Sequence, residues 1–376
     1  MTVIAMDALV GSALSRRAFV GAAAGMVSSV RVGLVRPKDA DYQTRAGPIR
    51  LDNNENPYGP FPSARAAMTA AIAEGGRYPS VEELQAAIAK AEGVGAQNVL
   101  LTVGATEGLN MAARAFTSAS APLVTAAPTY AAIATATEQL GHPVVRVPLT
   151  PEGKLDLTAM ADKASGAGVV YVCNPNNPTG TTIPTAALRE FFRRISEVSP
   201  NAVLVIGEAY HEYVDDMAYE TCVGPAVKDP GMLVNRTFSK LYGLAGLRLG
   251  YLVGHEDTLA TASAYRVPIG VNSIAAAAAT ASLTDAAERR RQREMNRAGR
   301  DAAARFFSAR GLRTYDAAAN FLFVDIGRDI TAFRALCRDK GLLVGRLYPP
   351  MTTWMRLTIG TPEEMVGAFD ILAALL

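Results

Sequence analysis

The chain predicts an α/β fold: a mostly parallel seven-stranded sheet in a large domain, followed by a smaller α+β C-terminal domain. The first observation is seven short apolar runs between about residues 98 and 268, at 99–101, 122–125, 143–147, 169–172, 203–206, 232–235 and 250–253, separated by helix-patterned segments. Alternation of this kind indicates parallel strands with helices on both faces. The second is a change of pattern after residue 268, where an Ala-rich segment and an arginine-bearing helix lead into two further strand patterns. At 376 residues and 49% hydrophobic content, the chain is long enough to fill one large and one small core.

The elements follow in order. Residues 1–47 read as a leader and linker. Ser15-Arg16-Arg17-Ala18-Phe19-Val20 and the apolar run 21–30 resemble a twin-arginine export signal, after which Pro37, Asp39, Gln43 and Gly47 break any pattern. The run is too short for a membrane span, so no stable membrane insertion is expected. A periplasmic location follows from the export reading. The competing reading is an irregular arm that happens to carry two arginines, because no Ala-x-Ala cleavage site follows, and the location is then cytoplasmic. Residues 48–80 are expected to join the C-terminal domain and to include a helix over 62–74. Residues 81–285 form the large domain, opening with a helix over 81–92. Residues 286–376 form the small domain, entered through the Ala-rich segment 273–282 and the arginine-bearing helix to 308, with strands at 320–325 and 342–344 and helices at 330–340 and 362–376.

Composition excludes several classes. The net charge is +2 and no basic stripe with interleaved aromatics appears, which argues against a nucleic-acid partner. The charged run 288–294 reads as a solvated helix face with mixed-sign pairs. Cys173, Cys222 and Cys337 are widely spaced and odd in number, and His142, His211 and His255 have no ligand spacing, so neither a disulfide framework nor a metal site is indicated.

The chemistry concentrates in a series of motifs. Thr237-Phe238-Ser239-Lys240 is followed eight residues later by Arg248, and a lysine between hydroxyls and a fixed arginine suits an amine that condenses with a phosphorylated aldehyde cofactor. The run 100–103 ends in Gly104, so Gly104-Ala105-Thr106 reads as a strand-to-helix turn offering free amides to an anion, with a helix from 106 to 116. Asn177 lies in the loop Asn174-Pro175-Asn176-Asn177-Pro178-Thr179-Gly180 after a buried-looking strand, at the carboxyl end where open parallel sheets bind ligands. Arg356, in Arg-Leu-Thr-Ile-Gly, carries a planar guanidinium that matches a carboxylate bidentately.

Together these motifs, from Leu51-Asp52-Asn53-Asn54-Glu55-Asn56-Pro57-Tyr58-Gly59 to Arg356-Leu357-Thr358-Ile359-Gly360-Thr361, resemble the fold-type I, class I/II aminotransferases that depend on pyridoxal phosphate, in particular the histidinol-phosphate aminotransferase-like branch. The resemblance implies that Lys240 carries the cofactor as a Schiff base. It implies that Arg248, Thr237, Ser239 and the amides of Ala105 and Thr106 hold the phosphate, that Tyr130 stacks on the ring, and that Asn177 and Tyr210 bond the ring oxygen. Arg356 would clamp the substrate carboxylate, and Tyr58 would reach the phosphate of a neighbouring subunit in a homodimer. The substrates implied are an amino acid and a 2-oxo acid.

One position departs from the pattern. The family has an aspartate three residues before the tyrosine, which keeps the ring nitrogen protonated; this chain has Gly207, in Gly207-Glu208-Ala209-Tyr210. Glu208 is adjacent but should face away, because successive strand residues point to opposite faces unless the strand bulges. A lost hydrogen bond to a charged group is worth about 1.5–3 kcal/mol, so transamination is expected to be at least about one to two powers of ten slower than with aspartate. Three readings stay open: a weakened aminotransferase, other chemistry needing a weaker electron sink such as oxidation or elimination, or compensation by Glu208 or water. A cofactor-binding protein with little turnover is a fourth. On the substrate side, Asn54, Tyr58, Asn320 and Arg346 are candidates near glycine- or proline-bearing loops, with a strand cap and a surface arginine as the competing readings of Asn320 and Arg346. Gly345 separates Val344 from Arg346 where histidinol-phosphate aminotransferases have a Val-Arg pair, which argues against a phosphorylated substrate. Tyr213 and Trp354 either frame a flat side chain or serve the core.

Overall fold

The computed structural model describes residues 47–376; the twin-arginine-like segment lies outside the described residues. The strands in chain order are β1 (Ile49–Leu51), β2 (Val99–Thr102), β3 (Leu123–Ala127), β4 (Val144–Pro148), β5 (Val169–Cys173) and β6 (Val203–Gly207). They continue with β7 (Met232–Thr237), β8 (Gly250–Gly254), β9 (Arg313–Thr314), β10 (Phe321–Asp325), β11 (Leu342–Val344) and β12 (Trp354–Thr358).

The main sheet has seven strands in the order β2-β8-β7-β6-β5-β3-β4. All neighbours are parallel except β8, which runs antiparallel to both β2 and β7. Every residue of β5, β6 and β7 is buried, as expected of parallel strands covered on both faces. Val170, Val172, Leu204, Ile206 and Val234 pack on one side with Phe61, Leu84, Leu188, Phe191 and Ala275. Tyr171, Cys173, Val203, Val205 and Leu233 pack on the other, against Leu109 and Met111 of helix Gly104–Phe116. That helix begins two residues earlier than the sequence pattern indicated, because the Glu107 carboxylate accepts from the Val103 amide and fixes the first turn further back.

A second core gathers Leu51, Leu322, Val324, Phe333, Leu342, Met355, Leu357 and Leu372. Around it lie the antiparallel sheet β12-β10-β9 and the parallel pair β1-β11, in which Ile49 is registered with Leu342 and Leu51 with Val344. Helix Pro362–Leu375 starts on a capping box between Thr361 and Glu364 with proline in its first turn, a signature worth about 1 kcal/mol. The charged run 288–294 is not a fully solvated face. Gln292 is buried, and its Oε1 accepts from Asn56 Nδ2.

Candidate active site

The motif residues converge at the carboxyl ends of β2, β3, β5, β6 and β7. Gly250, the first residue of β8, is registered with both Thr102 and Thr237, so the antiparallel strand brings Arg248 beside the ends of β2 and β7. Gly104 has φ +74, a left-handed conformation that glycine adopts without steric cost, and a Cβ there would lie 2.5 Å from Arg248 Nη2. The guanidinium therefore passes directly over the turn. Ala105 and Thr106 sit in the first helical turn, whose amides lack intrahelical acceptors and carry the positive end of the helix dipole. Thr237 Oγ1 lies 2.9 Å from Ser239 Oγ and accepts from the Ser239 amide at 3.1 Å. Thr106 Oγ1 is 3.1 Å from the hydroxyl of Tyr130. Amides, hydroxyls and one guanidinium thus form a cradle for a phosphate group.

Lys240 follows β7. Its Nζ lies 3.0 Å from the Asn54 carbonyl oxygen and 5.6 Å from the ring centre of Tyr210. Burial pushes the amine down to about 7, helped by the Arg356 and Arg248 guanidiniums and opposed by Glu55. Beyond it lies a polar network. The Tyr210 hydroxyl accepts from Asn54 Nδ2 at 3.1 Å and from Asn177 Nδ2 at 3.2 Å. Arg356, on β12 and registered opposite Phe323 of β10, donates to Asn177 Oδ1 at 2.8 Å and to the Asp52 carbonyl at 2.6 Å. Arg356 Nε is buried beside Gly345 with no hydrogen-bond partner. Asn54 has φ 54 and is pinned by Thr358, whose Oγ1 accepts from its amide at 2.9 Å. Asn320 donates to the Asn54 carbonyl at 3.1 Å, so it holds the backbone that in turn faces Lys240.

The remaining candidates divide. Arg346 is exposed and lies over the Tyr348 ring at 4.4 Å, while Arg356 lies 5.2 Å from the same ring. Trp354 stacks on Tyr315 at 4.3 Å inside a small aromatic cluster, so it serves packing. Tyr213 is buried and lines a small cavity with Asn56, Tyr58 and Asn320. Gly345 has a steric reason: a Cβ there would lie 2.9 Å from the Cβ of Arg356.

At position 207 the geometry is specific. Gly207 ends β6, and a Cβ built on it would lie 2.6 Å from the hydroxyl oxygen of Tyr171 and 3.2 Å from its ring carbons Cε2 and Cζ. Glu208 faces the opposite side, as the strand alternation requires. Its Oε2 accepts from Arg236 Nε and Nη2 at 3.0 and 2.7 Å and from Thr221, and its Oε1 accepts from the Cys222 amide. It is therefore not a replacement for the missing acid. The sequence reading missed Tyr171, Asp52 and Thr358. Asp52 acts through its backbone carbonyl, which no side-chain pattern reveals, whereas a tyrosine inside the apolar run 169–172 was a visible signal, since a buried phenol needs a partner.

The residues fit a phosphorylated aldehyde cofactor at three points: an amine lowered to about 7, an anion cradle and a guanidinium held at the pocket wall. They differ at the fourth, where no carboxylate stands.

A family model described as "Aminotransferase class I and II" matches residues 46–372. Histidinol-phosphate aminotransferase 1 of Cupriavidus pinatubonensis is 40% identical over 328 residues, covering 85% of this chain and 86% of that protein. The aromatic amino acid aminotransferase of Thermobifida fusca is 35% identical over 318 residues, covering 84% and 87%. The crystal structure of histidinol-phosphate aminotransferase from Sinorhizobium meliloti in complex with pyridoxal 5′-phosphate superposes with a TM-score of 0.80 at 27% identity, covering 88% of this chain and 92% of that one.

Proposed function

This chain belongs to the class I and II aminotransferases, which transfer amino groups with pyridoxal 5′-phosphate, and on that premise we propose which of its residues do the work and on what class of substrate. When bound, the cofactor supplies a carbonyl that condenses with an amine and a ring that withdraws electrons from the α-carbon. Lys240 provides the protein's amine, and Nζ then takes and returns the proton moved on the substrate. The observation that carries this is the position of Lys240 Nζ between the Asn54 carbonyl and the Tyr210 ring, with an amine lowered to about 7. A base tuned close to neutral pH suits a group that must both accept and donate a proton.

Ala105, Thr106, Thr237, Ser239 and Arg248 hold the phosphate, Tyr130 covers the ring, and Asn177 with Tyr210 bonds the ring oxygen. Arg356 binds the acidic group of the substrate through its guanidinium. We propose an L-amino acid donor and a 2-oxo acid acceptor. Histidinol phosphate, in the names of the relatives, is the competing donor, because the same guanidinium accepts a phosphate monoester. Oxidation or elimination on this scaffold is not favoured, since the family and its relatives are aminotransferases. Tyr58 is proposed to complete the phosphate site of a second copy in a homodimer, and the twin-arginine-like segment to direct export to the periplasm.

A single-turnover screen tests the reading. Loaded protein is mixed with individual L-amino acids and with histidinol phosphate, and the conversion of the cofactor to its amine form is followed by absorbance. Conversion by an amino acid supports the proposal, conversion by histidinol phosphate alone replaces the donor, and no conversion by any donor overturns it.

A further inference from the structure

Three facts meet at the end of β6. Residue 207 has no side chain, the space its Cβ would occupy is 2.6 Å from the Tyr171 hydroxyl, and the neighbouring Glu208 is committed to Arg236 on the opposite face. Tyr171 belongs to β5, where Cys173 is registered with Gly207 and Tyr171 with Val205, so its side chain shares the face of residue 207. It is 1% exposed and hydrogen-bonded to the Cys173 thiol on the same face, and its further electrostatic neighbours are Tyr130, assigned to the face of the cofactor ring, and Tyr210, assigned to the ring oxygen.

We propose that the Tyr171 hydroxyl stands in for the absent carboxylate, facing the ring nitrogen of the cofactor and donating a hydrogen bond to it, so that the ring is held as a neutral pyridine. The inference rests on the pyridoxal phosphate reading above. Burial pushes the Tyr171 phenol well above its ordinary value, so it stays protonated and acts as a donor that neither gives up its proton nor carries charge. A carboxylate stabilises a protonated ring nitrogen by charge, whereas a neutral hydroxyl satisfies the lone pair without adding a proton. The two devices compete for one space. A side chain at 207 pushes on the far end of Tyr171, and a ring with little freedom in a closed core has few places to go. Position 207 and position 171 therefore act as a pair.

The test uses the loaded protein carrying cofactor labelled with 15N in its ring. The wild-type ring resonance is expected at the position of a neutral, hydrogen-bonded pyridine. Tyr171→Phe, which keeps the ring volume, should move it toward a pyridine without a donor and weaken cofactor binding several-fold, up to about tenfold. Gly207→Asp combined with Tyr171→Phe should move it to the pyridinium position. A pyridinium resonance in the wild type overturns the proposal without recourse to any variant, and so does a Tyr171→Phe resonance identical to wild type. A pyridinium resonance in Gly207→Asp with Tyr171 intact overturns the competition between the two positions. Failure of the underlying reading looks different: borohydride then fixes no cofactor to Lys240.

Discussion

Glu208 and Arg236 form a buried, two-pronged ion pair, with Arg236 Nε and Nη2 at 3.0 and 2.7 Å from one carboxylate oxygen. The pair lies on the face of the main sheet turned away from Gly207. Glu92 and His211 extend it, since Arg236 Nη1 also donates to Glu92 Oε1 at 3.0 Å and contacts His211 Nε2. Removing Glu208 leaves the buried Arg236 with Glu92 as its remaining carboxylate partner, which costs up to about 3–5 kcal/mol. Glu208→Ala is therefore expected to lower unfolding free energy by up to that amount, measured by urea denaturation, and the cofactor spectrum of the fraction still folded should be unchanged. A spectrum altered at constant stability would place Glu208 at the cofactor instead.

The amine of Lys240 gives a pH signature. Its value is depressed to about 7 from 10.5, chiefly by burial, so the nucleophilic neutral form is the minority below pH 7 and the majority above. The rate of cofactor attachment should rise about tenfold per pH unit below 7 and flatten above about pH 8, read by stopped-flow absorbance. Arg356→Gln removes a nearby cation and should move the inflection to higher pH. An inflection near 10 in the wild type contradicts this environment.

For Arg356 itself, the bonds to Asn177 and Asp52 fix the orientation of the guanidinium. Arg356→Lys keeps the charge and loses the fork, so about 1.5–3 kcal/mol of substrate binding should go, a rise in KM of roughly 10- to 100-fold. Titration of the half-reaction with increasing amino donor measures it, and an unchanged KM removes Arg356 from substrate recognition.

Gly104→Ala tests the phosphate cradle. The left-handed backbone costs a non-glycine residue about 1–2 kcal/mol, and the added methyl meets the Arg248 guanidinium. Cofactor affinity is expected to fall by about tenfold or more in equilibrium dialysis, while pyridoxal lacking the phosphate should show little change. An equal loss for both ligands would mean that the turn does not contact the phosphate.

The seven strands of the main sheet were legible because each is a short apolar run that parallel packing buries on both faces, and each observed strand lies within two residues of its sequence pattern at either end. Strand direction was not legible: nothing in Gly250–Gly254 distinguishes an antiparallel strand from its neighbours, since the difference lies in the path of the connection 238–249 from β7. The site was readable where function resides in side chains at motif positions, as in Lys240, Arg248 and Arg356. It was hidden where backbone carbonyls do the binding, as at Asp52, or where a residue is constrained by what lies beside it in space, as Gly345 is by Arg356 and Gly207 by Tyr171.

The pairing of β1 with β11 has a kinetic corollary. Asn54, which faces Lys240 and is pinned by Thr358 across 304 positions, follows a strand whose only registered partner among the described residues is Leu342–Val344. During synthesis the lysine-bearing sheet can be complete while this wall of the pocket still lacks its counterpart. Capture of the vitamin by a growing polypeptide should accordingly be a late event, delayed until residues 342–358 have emerged from the ribosome.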